Sequence, residues 1–126
     1  MDVRVEERKL GRGLCGLYCD ALRLIIIIDN HLLDHQKLCT LCHELVHARH
    51  HDPGCGIIGA KTEQRTRKET ALWLVGPVEY ATAERLYDGD SYLIACELGV
   101  TVQVVEDYKS LLASRVTTAY GERTVE

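Results

Sequence analysis

Residues 43–47 read His-Glu-Leu-Val-His, and this run limits the fold more than any other feature of the chain. Two imidazoles four residues apart can converge on one point when they sit on a helix, where they project from the same face a turn apart. The flanking sequence supports that helix. Leu38, Leu41, Cys42, Leu45 and Val46 form one apolar stripe at helical spacing. Asp34 is placed to cap its start, and Pro53 and Gly54 to end it. His43 and His47 then have the spacing of two ligands on one tetrahedral zinc ion. Glu44, next to the first ligand, is placed as the general base that takes a proton from water and passes it to a leaving amine.

A second motif overlaps the first. Cys39, Cys42 and His43 spell C-x-x-C-H, the pattern for covalent haem attachment. His43 cannot serve both. The N-terminus, "MDVRVEERKL", has no apolar leader segment, and the longest apolar run, "LIIII" at 24–28, is too short to cross a membrane. A cytoplasmic location with no membrane partner is expected, and the six cysteines are then reduced thiols. Covalent haem is normally attached elsewhere, and the single methionine is Met1, which leaves no Met axial ligand. The zinc reading is therefore preferred, with Cys39 and Cys42 as small buried thiols. His50 and His51 suit the helix C-terminus, and His31 and His35 the surface.

The rest of the 126 residues is organised around this helix. Residues 3–28 read as strands: "VRVEERKL", "GLCGLY" framed by Gly13 and Gly16, and the continuous "ALRLIIIID". Short turns between them predict an antiparallel sheet. After the helix from Asp34, further helices are predicted over 61–75, from Pro77, over 91–98 and over 101–114. The fold class is α+β, one domain over 1–114, with a flexible tail over 115–126. Hydrophobic residues at 46% and charged residues at 27% suit such a domain. A net charge of −4 does not advertise nucleic-acid binding.

"GLCGLYCDALRLIIIIDNHLLDHQKLCTLCHELVHA", followed by "EQRTRKETALWLVGP", resembles the ImmA/IrrE family of metallopeptidases over roughly residues 12–112. The elements come in the family's order, with "TLCHELVHA" where the family has T-L-A-H-E-x-x-H. The resemblance implies a zincin-like fold, a small antiparallel sheet followed by an active-site helix and several further helices. It also implies gluzincin-type coordination by two histidines and a downstream glutamate. Members similar to this chain are often encoded by phages and mobile elements, where they act on a partner transcriptional repressor. The implied activity is a zinc-dependent endopeptidase whose protein substrate is a helix-turn-helix repressor.

Two glutamates could supply the third ligand, Glu63 and Glu69. At about 100° per residue, with Glu63 at zero, Thr70 and Leu74 lie within about 20° and Thr66 and Trp73 within about 80°. Gln64, Arg65, Lys68 and Glu69 fall between about 100° and 240°, the solvent side. Glu63 is therefore expected to face inward and Glu69 outward; counting back from "WLVGP" also puts the family's ligand at Glu63. Arg67 fits this wheel poorly and is expected to snorkel or pair with Glu63. Lys61, Arg65, Arg67 and Lys68 are otherwise read as one solvated face. For the oxyanion, Tyr80, Tyr92 and a histidine near the helix end remain open as candidates.

An alternative function is a metal-stabilised regulator that cuts nothing and binds a repressor or DNA through the helical pair 91–109. Ala95 and Gly99 suit the first helix and turn of such a motif, and Ile94 and Val105 its buried positions. However, 101–109 carries Glu106 and Asp107 against Lys109 alone, where phosphate contact needs several cations. Nucleic acid is thus the less expected partner.

Overall fold

The computed structural model describes residues 2–8, 15–27, 32–53 and 59–125, with side chains through 115. Gly13, Ile28, Asp29, His31 and Gly54, which carry roles in the sequence analysis, lie outside the described residues. Three strands, β1 (Arg4–Glu7), β2 (Gly16–Cys19) and β3 (Leu24–Ile27), precede five helices. These are α1 (Asp34–Arg49), α2 (Ala60–Leu74), α3 (Pro77–Leu86), α4 (Ser91–Leu98) and α5 (Val102–Val125). The α+β class and the order of elements are as expected.

One pairing differs from the expected antiparallel sheet. The strand order is β1-β3-β2, with β2 antiparallel to β3 and β1 parallel to it. The apolar content of β3 explains this. Leu24, Ile25 and Ile27 are buried, whereas β1 is largely exposed. The most apolar strand takes the centre, where both backbone edges are paired, and β1 is left at a rim. The turn from β2 to β3 closes with a bond from the Arg23 N–H to the Asp20 carbonyl (3.1 Å), and Arg23 takes φ +47°.

Helix boundaries follow local chemistry, with two corrections. Asp34 is the first helical residue and not the cap. Leu33 holds the cap position and has no side-chain oxygen to accept from the first helical amides; instead its own N–H donates to Gln36 Oε1 at 2.8 Å, the reciprocal half of a capping box. The last helix does not stop at 114 but runs to Val125. Between these residues only Gly121 strongly disfavours helix, and no proline intervenes. Elsewhere, Pro77 opens α3, Asp90 caps α4 through the Leu93 N–H (3.0 Å), and Gly99 closes α4 at φ +68°.

Helix α1 separates two apolar clusters. On one side Tyr18, Ile25 and Ile27 of the sheet pack with Ala48, Leu41 and Leu45. On the other, Cys39 joins a helical core that includes Ala71, Tyr80, Ile94, Val105 and Tyr108. The segment weighed as a DNA-binding pair supplies part of this core: Ile94, Ala95, Val100, Val104 and Val105 are all buried. Among the described residues, no helix is long and apolar enough to cross a membrane.

Gly16 of β2 lies close against α1. A Cβ there would lie 2.6 Å from Thr40 Cγ2 and 3.1 Å from the Ile26 carbonyl oxygen. Gly16→Ala is therefore expected to destabilise the protein by about 1–3 kcal/mol in urea unfolding. Because Thr40 is the first obstacle, adding Thr40→Ser should recover part of the loss, so that the double variant costs less than the two singles together. Strictly additive losses would show that Gly16 is not pressed against this side chain.

Candidate metal centre

His43 and His47 occupy one face of α1, with ring centroids 5.0 Å apart. Glu63, in the first turn of α2, reaches both. Its Oε1 lies 2.6 Å from His43 Nε2 and its Oε2 lies 3.3 Å from His47 Nε2. Ligand atoms of the three residues all fall within 4.8 Å of one another. Two imidazole nitrogens and a carboxylate at this separation suit a small divalent ion bound tetrahedrally, with one position left open. Burial lowers the pKa of His43, against the opposing pull of Glu63, which favours the neutral ring that a ligand requires.

The other nitrogen of His47 is held as well. This ring is 1% exposed, and its Nδ1 lies 2.9 Å from Asp52 Oδ2. Thr66 Oγ1 is 3.3 Å from the same nitrogen. Asp52 is itself buried and also pairs with Arg65 Nη2. A carboxylate on Nδ1 fixes the tautomer and leaves the Nε2 lone pair for a metal. The backbone brings Asp52 there. His51 adopts φ +52°, the His51 N–H donates to the Ala48 carbonyl at 3.1 Å, and the Asp52 N–H donates to the His47 carbonyl at 3.0 Å. This is a Schellman reversal, made here by a histidine in place of the usual glycine.

Glu44 is buried beside the two histidines, 8% exposed. Burial pushes its carboxyl up to about 7, with His47 pulling down and Glu63 pushing further up. A carboxyl in that range can hold or release a proton near neutrality. It faces a cavity of about 470 Å³ that also receives His43 and Glu63.

Glu69 is absent from the ligand group. It binds His50 instead, with its two carboxylate oxygens 2.8 and 2.9 Å from Nε2. Cys39 and Cys42 are buried thiols whose pKa values are raised by burial, that of Cys42 to about 11. Neither Tyr80 nor Tyr92 lines the cavity: Tyr80 is buried in the helical core and Tyr92 is exposed. The reading of Lys61, Arg65, Arg67 and Lys68 as one solvated face is corrected at two positions. Arg65 holds Asp52, and Arg67 binds Asp107 of α5 through Nε (3.1 Å) and Nη2 (2.6 Å). A helical wheel assigns Arg65 to solvent because it cannot include the loop that folds back over α2.

Helical spacing does not reveal Asp52. Its one signal in the sequence is a carboxylate just past the helix end, five residues after His47. Asp52→Asn is expected to weaken metal binding about 10–100-fold, as is usual when a partner of a ligating histidine is lost. Glu63→Gln should weaken it about tenfold or more, since a ligating charge goes. Glu69→Gln should leave it nearly unchanged. Competition titration against a chromophoric chelator ranks the three. Strong loss at Glu69 with none at Glu63 would contradict this geometry.

The family described as Peptidase_M78, IrrE N-terminal-like domain, matches residues 1–107. Among curated proteins and among solved structures there is no match to the chain.

Proposed function

The chain belongs to the Peptidase_M78 family, and on that premise we propose that it is a zinc-dependent endopeptidase whose substrate is a partner helix-turn-helix repressor. The observation that carries this reading is the convergence of His43, His47 and Glu63 beside a buried carboxyl at the wall of an open cavity. A metal held by three protein ligands keeps a position for chemistry, whereas a fourth ligand would close it. Cys39 and Cys42 have raised thiol pKa values, which disfavours the thiolate needed for such a fourth ligand.

Zinc bound there would supply a Lewis acid that polarises the scissile carbonyl and acidifies water. The chain's own residues do the rest. Asp52 orients His47, Glu63 contributes the anionic donor, and Glu44 moves the proton. A water oxygen attacks the carbonyl carbon, and Glu44 receives the proton that water loses. The C–N bond then breaks as the nitrogen takes that proton from Glu44, giving a carboxylic acid and an amine, and the acid's remaining proton passes to the amine to leave carboxylate and ammonium. A carboxyl poised near 7 suits both halves of that transfer. The repressor as substrate is supported by the family resemblance, in which similar members act on such partners.

Glu44→Gln is expected to reduce repressor cleavage about 10²–10⁴-fold, the usual contribution of a general base. Zinc content, measured by elemental analysis, should stay at that of the unmodified protein. Chelation should abolish cleavage, and added zinc should restore it. Full cleavage by the glutamine variant would end the peptidase reading. The Cys39→Ser, Cys42→Ala double variant should keep its zinc; metal loss with a native circular dichroism spectrum would make a thiolate a ligand.

A further inference from the structure

The peptidase reading leaves the negative charge that develops on the carbonyl oxygen without an assigned partner. We propose that Arg67 holds that oxygen, with Asp107 and Gln103 as its positioning residues. The proposal rests on the function proposed above.

Two observations on the cavity carry it. Among the described residues that line it, Arg67 is the one with a permanent positive charge. It follows Glu63 by four residues on α2, so the guanidinium and the ligand carboxylate project from the same face.

The side chain is also held in place. Asp107 takes Nε and Nη2 in a two-point pair, and Gln103 Nε2 donates to Asp107 Oδ1 at 3.0 Å. Both partners lie on α5 and line the same cavity. That geometry uses one edge of the guanidinium fork and leaves the Nη1 hydrogens for another acceptor. A donor fixed before substrate arrives needs no reorganisation as the charge forms, and such donors contribute most to stabilising an oxyanion. Tyr80 and Tyr92, the tyrosines weighed for this role, do not line the cavity.

The test uses zinc-loaded protein and two probes. Acetohydroxamate chelates the metal alone. N-phosphoryl-leucyl-tryptophan adds a tetrahedral phosphorus with charged oxygens where the reacting carbon would be. Both are titrated calorimetrically against the wild type, Arg67→Met, and the double variant Arg67→Met, Asp107→Leu, which leaves no unpaired carboxylate. Zinc content is measured for each. Both variants are expected to keep zinc and to bind acetohydroxamate within about twofold of wild type, because metal chelation does not use the arginine. Both should bind the phosphoryl dipeptide about 10- to 100-fold more weakly, the effect of losing a hydrogen bond to a charged group.

Unchanged dipeptide affinity in Arg67→Met overturns the proposal, as does recovery of wild-type affinity in the double variant, since the arginine would then matter only for packing α2 on α5. Loss of zinc from both variants also overturns it, because Arg67 would then serve the metal site. Wild type that binds acetohydroxamate but not the dipeptide has no oxyanion donor, and the proposal falls while a metal site stands. Wild type that binds no zinc removes the peptidase reading itself.

Discussion

A buried imidazole must have both nitrogens satisfied, and His47 imposes that demand on everything around it. The ring is almost wholly excluded from water. An unpaired polar atom there would cost about 1–3 kcal/mol. One nitrogen is answered by Asp52 and the other faces Glu63. Each answer constrains a different part of the chain. Asp52 can arrive only if the helix reverses within two residues of its end, which forces His51 into a left-handed conformation. Glu63 can arrive only if α2 crosses α1 near its own first turn. The buried Asp52 then needs a cation, and Arg65, two residues after Glu63, supplies it. The ligand, its orienting carboxylate and that carboxylate's counter-charge thus form one connected set across two helices and a loop.

Two residues with left-handed backbone, Arg23 and His51, sit where that set is anchored to the sheet. Arg23, at φ +47°, turns β2 into β3, and its Nη1 donates to the Ala48 carbonyl at 2.9 Å, in the last turn of α1. The same group contacts Tyr18, Asp20 and His51. Non-glycine residues carry a steric penalty at positive φ. Here both are held by one polar cluster that ties the hairpin to the helix end. The cost of two unfavourable backbone positions is offset by bonds that exist only when strand and helix are in register. Gly16 acts at the other end of the same contact, by having no side chain to hold Thr40 away.

How much of this is legible in the sequence depends on whether a residue's partner lies on its own element. Spacing along one helix is periodic, so the letters alone place His43, Glu44 and His47 together and set Glu63 apart from Glu69. Glu69 is not on the solvent face as the wheel has it: it is the less exposed of the two, 27% against 41%, because His50 at the end of α1 binds it. Partners on other elements leave no such trace. Arg65 and Arg67 look like unpaired surface cations on a wheel, and the carboxylates that hold them, Asp52 and Asp107, come from a loop and from a helix about forty residues on. The order of strands is likewise hidden. Short turns suggest a meander, yet the choice of which strand is central depends on what packs on both its faces. The end of α5 escapes for the opposite reason: a weak amphipathic period reads as loss of helix, although no residue there except Gly121 opposes it.

The two motifs that compete for His43 are separated by the helix itself. Attachment of haem would need Cys39 and Cys42 free to react at a surface wide enough for a macrocycle. Both thiols are instead about 6% exposed, with Cys39 packed in the helical core, and burial raises their pKa values away from the reactive thiolate. His43 meanwhile lies four residues from His47 and within bonding distance of Glu63. A helix turns the residue three after Cys39 and the residue four after it by about 100° relative to each other. Cys42 and His43 therefore address different surroundings, one apolar and one polar. The shared sequence letters carry a single chemistry because Cys42 does not line the cavity beside Glu63, and Cys39, which does, is a buried thiol with a raised pKa.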